Sequence, residues 1–209
     1  DLTARYLILA VGCLSSENRP EIPGIGNFAG ASYHTGQWPH GIVDFSGKDV
    51  AVIGTGSSGI QCIPKIAQQA RLLTVMQRTP NYAIPAWNEP LDDATDRMVK
   101  ADYDALRARA KTRPTGYWFP FGDTPAMSVS EDERTAQFER FWQLGGLEFM
   151  GAFSDLFLDA QANATAAQFV RAKIRAKIHD ATVAGIVVPN GVIGAKRLCV
   201  ESNYYETFN

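Results

Sequence analysis

A chain of 209 residues is long enough to bury a real core and to hold one or two domains. Its 45% hydrophobic and 20% charged residues are ordinary for a globular protein, and a net charge of −2 gives no electrostatic reason to expect nucleic acid or an anionic membrane as partner. The longest apolar runs, Tyr6–Val11 and Gly185–Val188, are far too short to span a bilayer, and no signal peptide is visible at the start.

Three cysteines, Cys13, Cys62 and Cys199, are odd in number and far apart. They point to a reducing, cytoplasmic setting in which each thiol is a small buried hydrophobe, and away from a disulfide framework or a Cys-rich metal site. The chain opens without Met on a segment that runs straight into an apolar stretch. It stops at Tyr204-Tyr-Glu-Thr-Phe-Asn209 without a cap or polar tail, so both ends read as cuts in a longer protein.

Residues 5–11 predict a short buried strand ended by Gly12. The Pro/Gly/Asn-rich stretch 18–27 is a connector leading to the segment 28–39. Gly47-Lys-Asp49 then turns the chain into a second buried strand, Val50–Gly54. From Ser57 to about Ala70 the apolar residues Ile60, Ile63, Ile66 and Ala67 recur at helical spacing, with Pro64 predicting a kink. Leu72–Gln77 is a third strand. Strand, glycine turn, helix and strand make one βαβ unit, which implies an α/β fold with a parallel sheet and helices on its faces.

Beyond Pro80 the character changes. Asp92 to about Lys111 is a charged, Ala-rich helical stretch, and residues 112–129 form a long loop with the unspecific aromatics Tyr117, Trp118, Phe119 and Phe121. Ser130-x-x-Glu133 has the form of a capping box, so a helix starts there and ends near Gly145-Gly146, with Phe138, Phe141, Trp142 and Leu144 as its apolar stripe. Ala160–Ile178 is a third helical run, with Ala166, Phe169, Val170, Ile174 and Ile178 on one face. These helices form an insert that leaves the sheet, and the chain rejoins it near Gly194–Val200.

Gly54-Thr55-Gly56-Ser57-Ser58-Gly59 follows a strand and opens a helix, the context in which G-x-G-x-x-G holds a dinucleotide. Gly54 permits the tight turn, Gly56 lets backbone approach a diphosphate, and Gly59 lets the helix pack close to the sheet. Free N–H groups at the helix start and the Ser57 and Ser58 hydroxyls then face the anion. The next strand ends in Gln77-Arg78-Thr79, and no Asp or Glu lies between Gln61 and Asn88. An acid there would pair with the ribose of NAD; a guanidinium with a neighbouring hydroxyl binds a 2′-phosphate, so NADPH is favoured over NADH.

The segment Phe28-Ala-Gly30-Ala-Ser-Tyr-His34-Thr-Gly-Gln-Trp38-Pro39 is opaque from its residues alone. His34 could serve as acid, base or ligand, but no other His, Cys, Asp or Glu stands nearby at metal-ligand spacing, so no metal site is expected. A packed, hydrogen-bonded histidine between core aromatics Phe28 and Trp38 is the plain reading, as a surface pair is for Lys196-Arg197.

As a pattern, Phe-x-Gly-x-x-x-His-x-x-x-Trp-Pro resembles the fingerprint of Baeyer–Villiger monooxygenases, flavoproteins that use NADPH and oxygen to insert an oxygen atom beside a ketone carbonyl. Gln77-Arg-Thr-Pro-Asn-Tyr82, Asn163-Ala-Thr-Ala-Ala167, and Lys196-Arg197 with Tyr204–Asn209 look like the same family. The resemblance covers nearly the whole chain and implies the middle of such an enzyme.

It further implies a Rossmann-like NADP-binding domain with an α-helical insert and strips of an incomplete FAD-binding domain. Residues 1–39 would be an FAD-domain strip, linker and fingerprint, and 40–90 the first part of the NADP-binding domain. Residues 91–184 would be the helical insert, and 185–209 the return to the NADP-binding domain and the start of the C-terminal FAD part. The fingerprint residues Phe28, Gly30, His34, Trp38 and Pro39 would couple cofactor movement to catalysis. Gly54, Thr55, Gly56, Ser57, Ser58, Gly59 and Gln61 would hold NADPH, with Arg78, Thr79 and Lys196 at its 2′-phosphate. Arg197 would reach the flavin and stabilise the negatively charged peroxyflavin and the intermediate formed with the ketone.

Ala10-Val11-Gly12 departs slightly from the Ala-Thr-Gly common in the family, and the flavin's own glycine motif is missing. The chain by itself is therefore expected to be inactive, while the parent turns a ketone and O2 into an ester or lactone with FAD and NADPH. Two alternatives remain: a flavin-dependent N- or S-hydroxylating monooxygenase, against which Trp38-Pro39 argues, and a non-catalytic NADP(H)-binding module. An alcohol dehydrogenase is disfavoured, since no Ser-Tyr-Lys or zinc constellation follows the glycine motif. Which ketone is oxidised, and the oligomeric state, leave no trace in the sequence.

Overall fold

The apolar runs 50–53 and 72–76 on either side of a helical stretch are what a parallel strand–helix–strand unit needs, and that unit is present, but the strand expected to be buried at Val50–Gly54 is not buried: Ile53 is 60% exposed. A computed structural model describes residues 3–12, 14, 16–113, 116, 117 and 121–209. Cys13, Trp118 and Phe119 lie outside the described residues. The chain divides into two units, Asp1–Phe45 and Ser46–Asn209.

In the larger unit β1 (Asp49–Ile53) pairs in parallel with β2 (Leu72–Met76), in a register that sets Ile53 opposite Met76. Between them runs α1 (Ser57–Ala67), which buries Ile60, Ile63 and Ile66 and keeps Pro64 within a single helix. A second parallel pair joins β3 (Ala83–Pro85) to β4 (Cys199–Glu201), with Ala83 opposite Cys199. Neither β3 nor this pairing has a signal in the sequence, because three-residue strands carry too little periodicity to read. Helix α1 packs against β1, β2 and β4, so one helix ties the two sheets together.

The charged stretch 92–111 forms two helices instead of one, α2 (Asp93–Ala101) and α3 (Tyr103–Lys111). They break at Asp102, whose backbone (φ −132°, ψ 36°) is not helical. No residue of either helix is buried, so no packed face holds the run straight. Helix α4 (Glu131–Leu144) starts on the full capping box: Ser130 accepts from the Glu133 N–H, and Glu133 reaches back to the Ser130 N–H. It ends at Gly145, whose φ of 73° suits glycine. Phe138, Phe141 and Trp142 are buried as expected, but Leu144 is 48% exposed, because the helix end turns it outward.

Helix α5 (Ala160–Lys177) buries Ala166, Val170 and Ile174. Its buried Asn163 Nδ2 donates to the carbonyls of Leu156 and Ile193, which uses both of its N–H groups. The aromatics Phe138, Trp142, Phe149, Phe153 and Phe169 stack edge and face between α4, α5 and the chain joining them. A further helix, α6 (Ala181–Val187), follows Asp180, which caps it by accepting from the Thr182 and Val183 N–H groups. At the end of β4, buried Glu201 is paired with Lys177 Nζ at 2.7 Å and accepts from the Tyr204 N–H at 2.9 Å.

The smaller unit contains no strand among its described residues; its regular structure is two 3-10 turns, Ile25–Asn27 and Thr35–Gln37. The expected strand at 5–11 is therefore a correction. Residues 5–11 have no strand partner among the described residues, and Ile8 is 87% exposed. A strand needs a hydrogen-bonding neighbour, and none runs beside this one.

Candidate functional site

Within the smaller unit the fingerprint is built from short-range contacts. The Phe28 ring lies flat over Gly30, where any Cβ would collide with it. His34 caps the Thr35–Gln37 turn, its Nδ1 accepting from the Gly36 N–H at 3.1 Å. That bond fixes the proton of the neutral ring on Nε2, which is left as its donor. Glu17 Oε2 stands 3.7 Å from the same Nδ1, while Glu17 Oε1 accepts from Arg19 at 2.7 Å. Trp38 packs with Tyr33 and Phe45 at ring separations of 5.7 and 6.2 Å. The hydrogen-bonded His34 matches expectation. Phe28 and Trp38 are not core residues, however: they are 67% and 41% exposed, and Pro39 is exposed as well.

The second cluster belongs to the larger unit. Gly54 turns the chain out of β1 with φ 101°, a conformation side chains rarely adopt, and its N–H donates to Met76 O at 2.8 Å. A Cβ on Gly59 would fall within 3.0 Å of the Gly54 carbonyl, so the first turn of α1 sits directly on the end of β1. Gly56, by contrast, has nothing within 4 Å of where a Cβ would stand. The N–H groups of Ser57, Ser58 and Gly59 have no acceptor inside the helix, as at any helix start, and they meet this open space.

The hydroxyls behave differently. Ser58 and Gln61 are exposed. Thr55 is buried and donates to Gln77 Oε1 at 3.4 Å, and Gln77 Nε2 in turn donates to Ile186 O at 2.9 Å. The Thr55 hydroxyl is thus turned into the fold and away from the open side of the loop. The Ser57 hydroxyl is also engaged, donating to Cys199 Sγ at 3.4 Å. Hydroxyls at a sheet end take the nearest protein acceptor.

Because β1 and β2 run in parallel and in register, Arg78 and Thr79 emerge beside the glycine turn, both exposed. The β3–β4 pairing brings the residues before β4 to the same end. Cys199 N–H donates to Tyr82 O at 3.0 Å, and Asn81 Nδ2 reaches Arg197 O at 3.5 Å. Lys196 and Arg197 are exposed there. Among the described residues, no salt bridge engages Arg78, Lys196 or Arg197. A helix start with open N–H groups and three cations without a salt bridge have the chemistry that suits an anion with more than one negative group. Sequence reasoning missed Asn81 and Cys199, which hold these strands together. Their partners are up to 142 residues apart, and no local pattern reports such a contact. Cys199 is buried and Cys62 half-buried, and burial pushes the Cys62 thiol pKa up.

No family model matches the chain. Among curated proteins, it is 41% identical to a Baeyer-Villiger monooxygenase of Pseudooceanicola batsensis, over 100% of this chain and 38% of that protein. It is 40% identical to phenazine N-monooxygenase PhzNO1 of Lysobacter antibioticus, over 99% of this chain and 38% of that protein. Among solved structures, an oxidised steroid monooxygenase bound to NADP superposes with a TM-score of 0.89 at 48% identity, covering 93% of this chain and 38% of that one. The OTEMO complex with FAD and NADP superposes with a TM-score of 0.91 at 38% identity, covering 95% and 39%. The chain thus spans well under half the length of the proteins it matches.

Proposed function

As this chain belongs to the Baeyer–Villiger monooxygenase family, matching 38% of a relative's length, we propose that it carries the NADPH site of a flavin-dependent ketone monooxygenase. The observation that carries this reading is the glycine turn opening on α1 beside the unpaired Arg78, Lys196 and Arg197. The residues fit the dinucleotide: space stands open over Gly56, and the first-turn N–H groups suit its diphosphate. Arg78, Thr79 and Lys196 suit the 2′-phosphate, and no Asp or Glu lies between Gln61 and Asn88 in the sequence to repel it. The larger unit then carries most of a Rossmann-type NADP-binding domain and the start of the C-terminal FAD part. Residues 40–90 and the return from 185 supply its sheet, 91–184 its helical insert, and 1–39 a strip that completes an FAD domain.

FAD does not fit this chain alone, since the sequence holds a single glycine turn of this kind; the flavin is assigned to the remainder of the parent. When both cofactors are bound, the nicotinamide supplies hydride and the flavin activates oxygen. The residues here bind, orient and set charge. Arg197 is a permanent cation, which lowers the energy of negative charge developing near it. His34 offers Nε2–H as a fixed donor from the fingerprint, whose role is to couple cofactor position to the reaction. Among the described residues, the Cys62 and Cys199 thiols are free. Among the described residues, no helix is long and apolar enough to cross a membrane.

A second reading has its own support. The phenazine N-monooxygenase is as similar to this chain as the ketone-type relative, so oxygen transfer to nitrogen is compatible with this segment. Two measurements test the proposal. Titration of the chain with NADP+ and NAD+ is expected to give tighter binding of NADP+. The full-length parent is expected to oxidise NADPH faster with a cyclic ketone than with a phenazine. Equal affinities sink the cofactor assignment, and a preference for the phenazine favours N-oxygenation.

A further inference from the structure

Cys199 takes no part in the proposed reaction, yet it stands where the elements of the site meet. Its side chain is 1% exposed. Its sulfur accepts from Ser57 Oγ at 3.4 Å and from Asn81 Nδ2 at 3.1 Å. Ser57 begins the first turn of α1, where the diphosphate would sit, and Asn81 follows Arg78 by three residues and Thr79 by two. Cys199 itself opens β4, two residues after Arg197, and Asn81 Nδ2 also reaches the Arg197 carbonyl. One sulfur thus links the helix start, the end of the β2 segment and the strip bearing Lys196 and Arg197.

We propose that Cys199 is a positioning residue that fixes the spacing between the diphosphate-binding turn and the 2′-phosphate cations. A ligand that must span both is held at full affinity only while that spacing is kept. The inference rests on the NADPH reading, from which its test is separable. A buried thiol is suited to this position because it fills space as an apolar group and still accepts two long, weak hydrogen bonds. Alanine loses both, and serine keeps an acceptor in nearly the same volume.

The test uses the whole 209-residue chain as wild type, Cys199→Ala, Cys199→Ser and Asn81→Ala. Two ligands are titrated: NADP+, which carries both phosphate groups, and 2′-AMP, which carries only the 2′-phosphate. Cys199→Ala is expected to weaken NADP+ about fivefold and 2′-AMP by less than about twofold. Cys199→Ser is expected to stay within about twofold of wild type for both. Asn81→Ala removes a donor from the half-exposed side and should repeat the selective loss if Cys199→Ala fails to fold. Unchanged NADP+ affinity in Cys199→Ala and Asn81→Ala, equal losses for both ligands, or a serine variant as weak as alanine would each overturn the proposal. A wild type that binds no NADP+ brings down the NADPH reading itself, and this inference with it.

Discussion

Replacing Gly59 and Gly56 by alanine, one at a time, separates what the glycine turn does for the fold from what it does for a ligand. Gly59 lies inside α1, where alanine alone is favoured over glycine by about 1 kcal/mol. Against that gain stands the Gly54 carbonyl, a backbone atom within 3.0 Å of the added Cβ, so helix or strand must shift. Overpacking of this kind costs about 1–3 kcal/mol, which leaves a net loss near 1 kcal/mol. The melting temperature should fall by about 2–4 °C, and NADP+ affinity at least about tenfold as the first-turn N–H groups move. Gly56 has φ −80° and nothing within 4 Å, so alanine fits the unliganded chain without a clash. Because Gly56 is also the N-cap of α1, where alanine is disfavoured, any loss of stability should stay below about 1 kcal/mol; the methyl occupies the space over the turn, and NADP+ binding should again weaken at least about tenfold. Calorimetric melting and a fluorescence titration read both effects. Gly56→Ala binding as wild type would show that no diphosphate approaches this turn. Gly59→Ala melting above wild type would show that helix propensity outweighs the contact.

Arg78→Ala should raise the dissociation constant for NADP+ about tenfold or more and leave that for NAD+ nearly unchanged; equal effects would remove Arg78 from the 2′-phosphate. Lys177→Met strands buried Glu201 and should cost roughly 2–4 kcal/mol in a denaturant melt. Burial pulls the Lys177 ammonium pKa down, but Glu201 and Glu206 outweigh it and hold it above the ordinary lysine value of 10.5. The pair's contribution is therefore complete below about pH 10.5 and fades as pH rises through the higher folded value, so the gap between wild type and Lys177→Met should narrow only in strong alkali. Ser130→Ala removes the α4 cap and should lower stability by about 1 kcal/mol, measured by the same melt. The purified chain should retain no FAD and show no ketone-dependent NADPH oxidation; either activity would contradict the assignment of the flavin to the rest of the parent.

The elements legible in the sequence are those whose signal is local. The βαβ unit announces itself by two apolar runs and a glycine turn, and Ser130 and Glu133 announce α4 by a spacing that only a capping box uses. The strand at 5–11 has an equally apolar signature and fails because pairing is a property of a neighbour, which this unit lacks. Asp102 breaks the 92–111 run, none of whose helical residues is buried, a fact outside any window of residues. Of the candidate site, the glycines and cations were readable by type and order. The turning inward of Thr55 and Ser57 was not, since their acceptors, Gln77 and Cys199, are distant in the chain.

Gln77 closes β2 with an amide that gives with one end and takes with the other, between Thr55 and the Ile186 carbonyl. A glutamate there could accept but not give, and would set a negative charge next to Arg78. Architecture and coenzyme choice thus ask for the same uncharged group at one position. Drift toward an NAD-type carboxylate at this strand end would loosen the anchor of α6 before it altered selectivity.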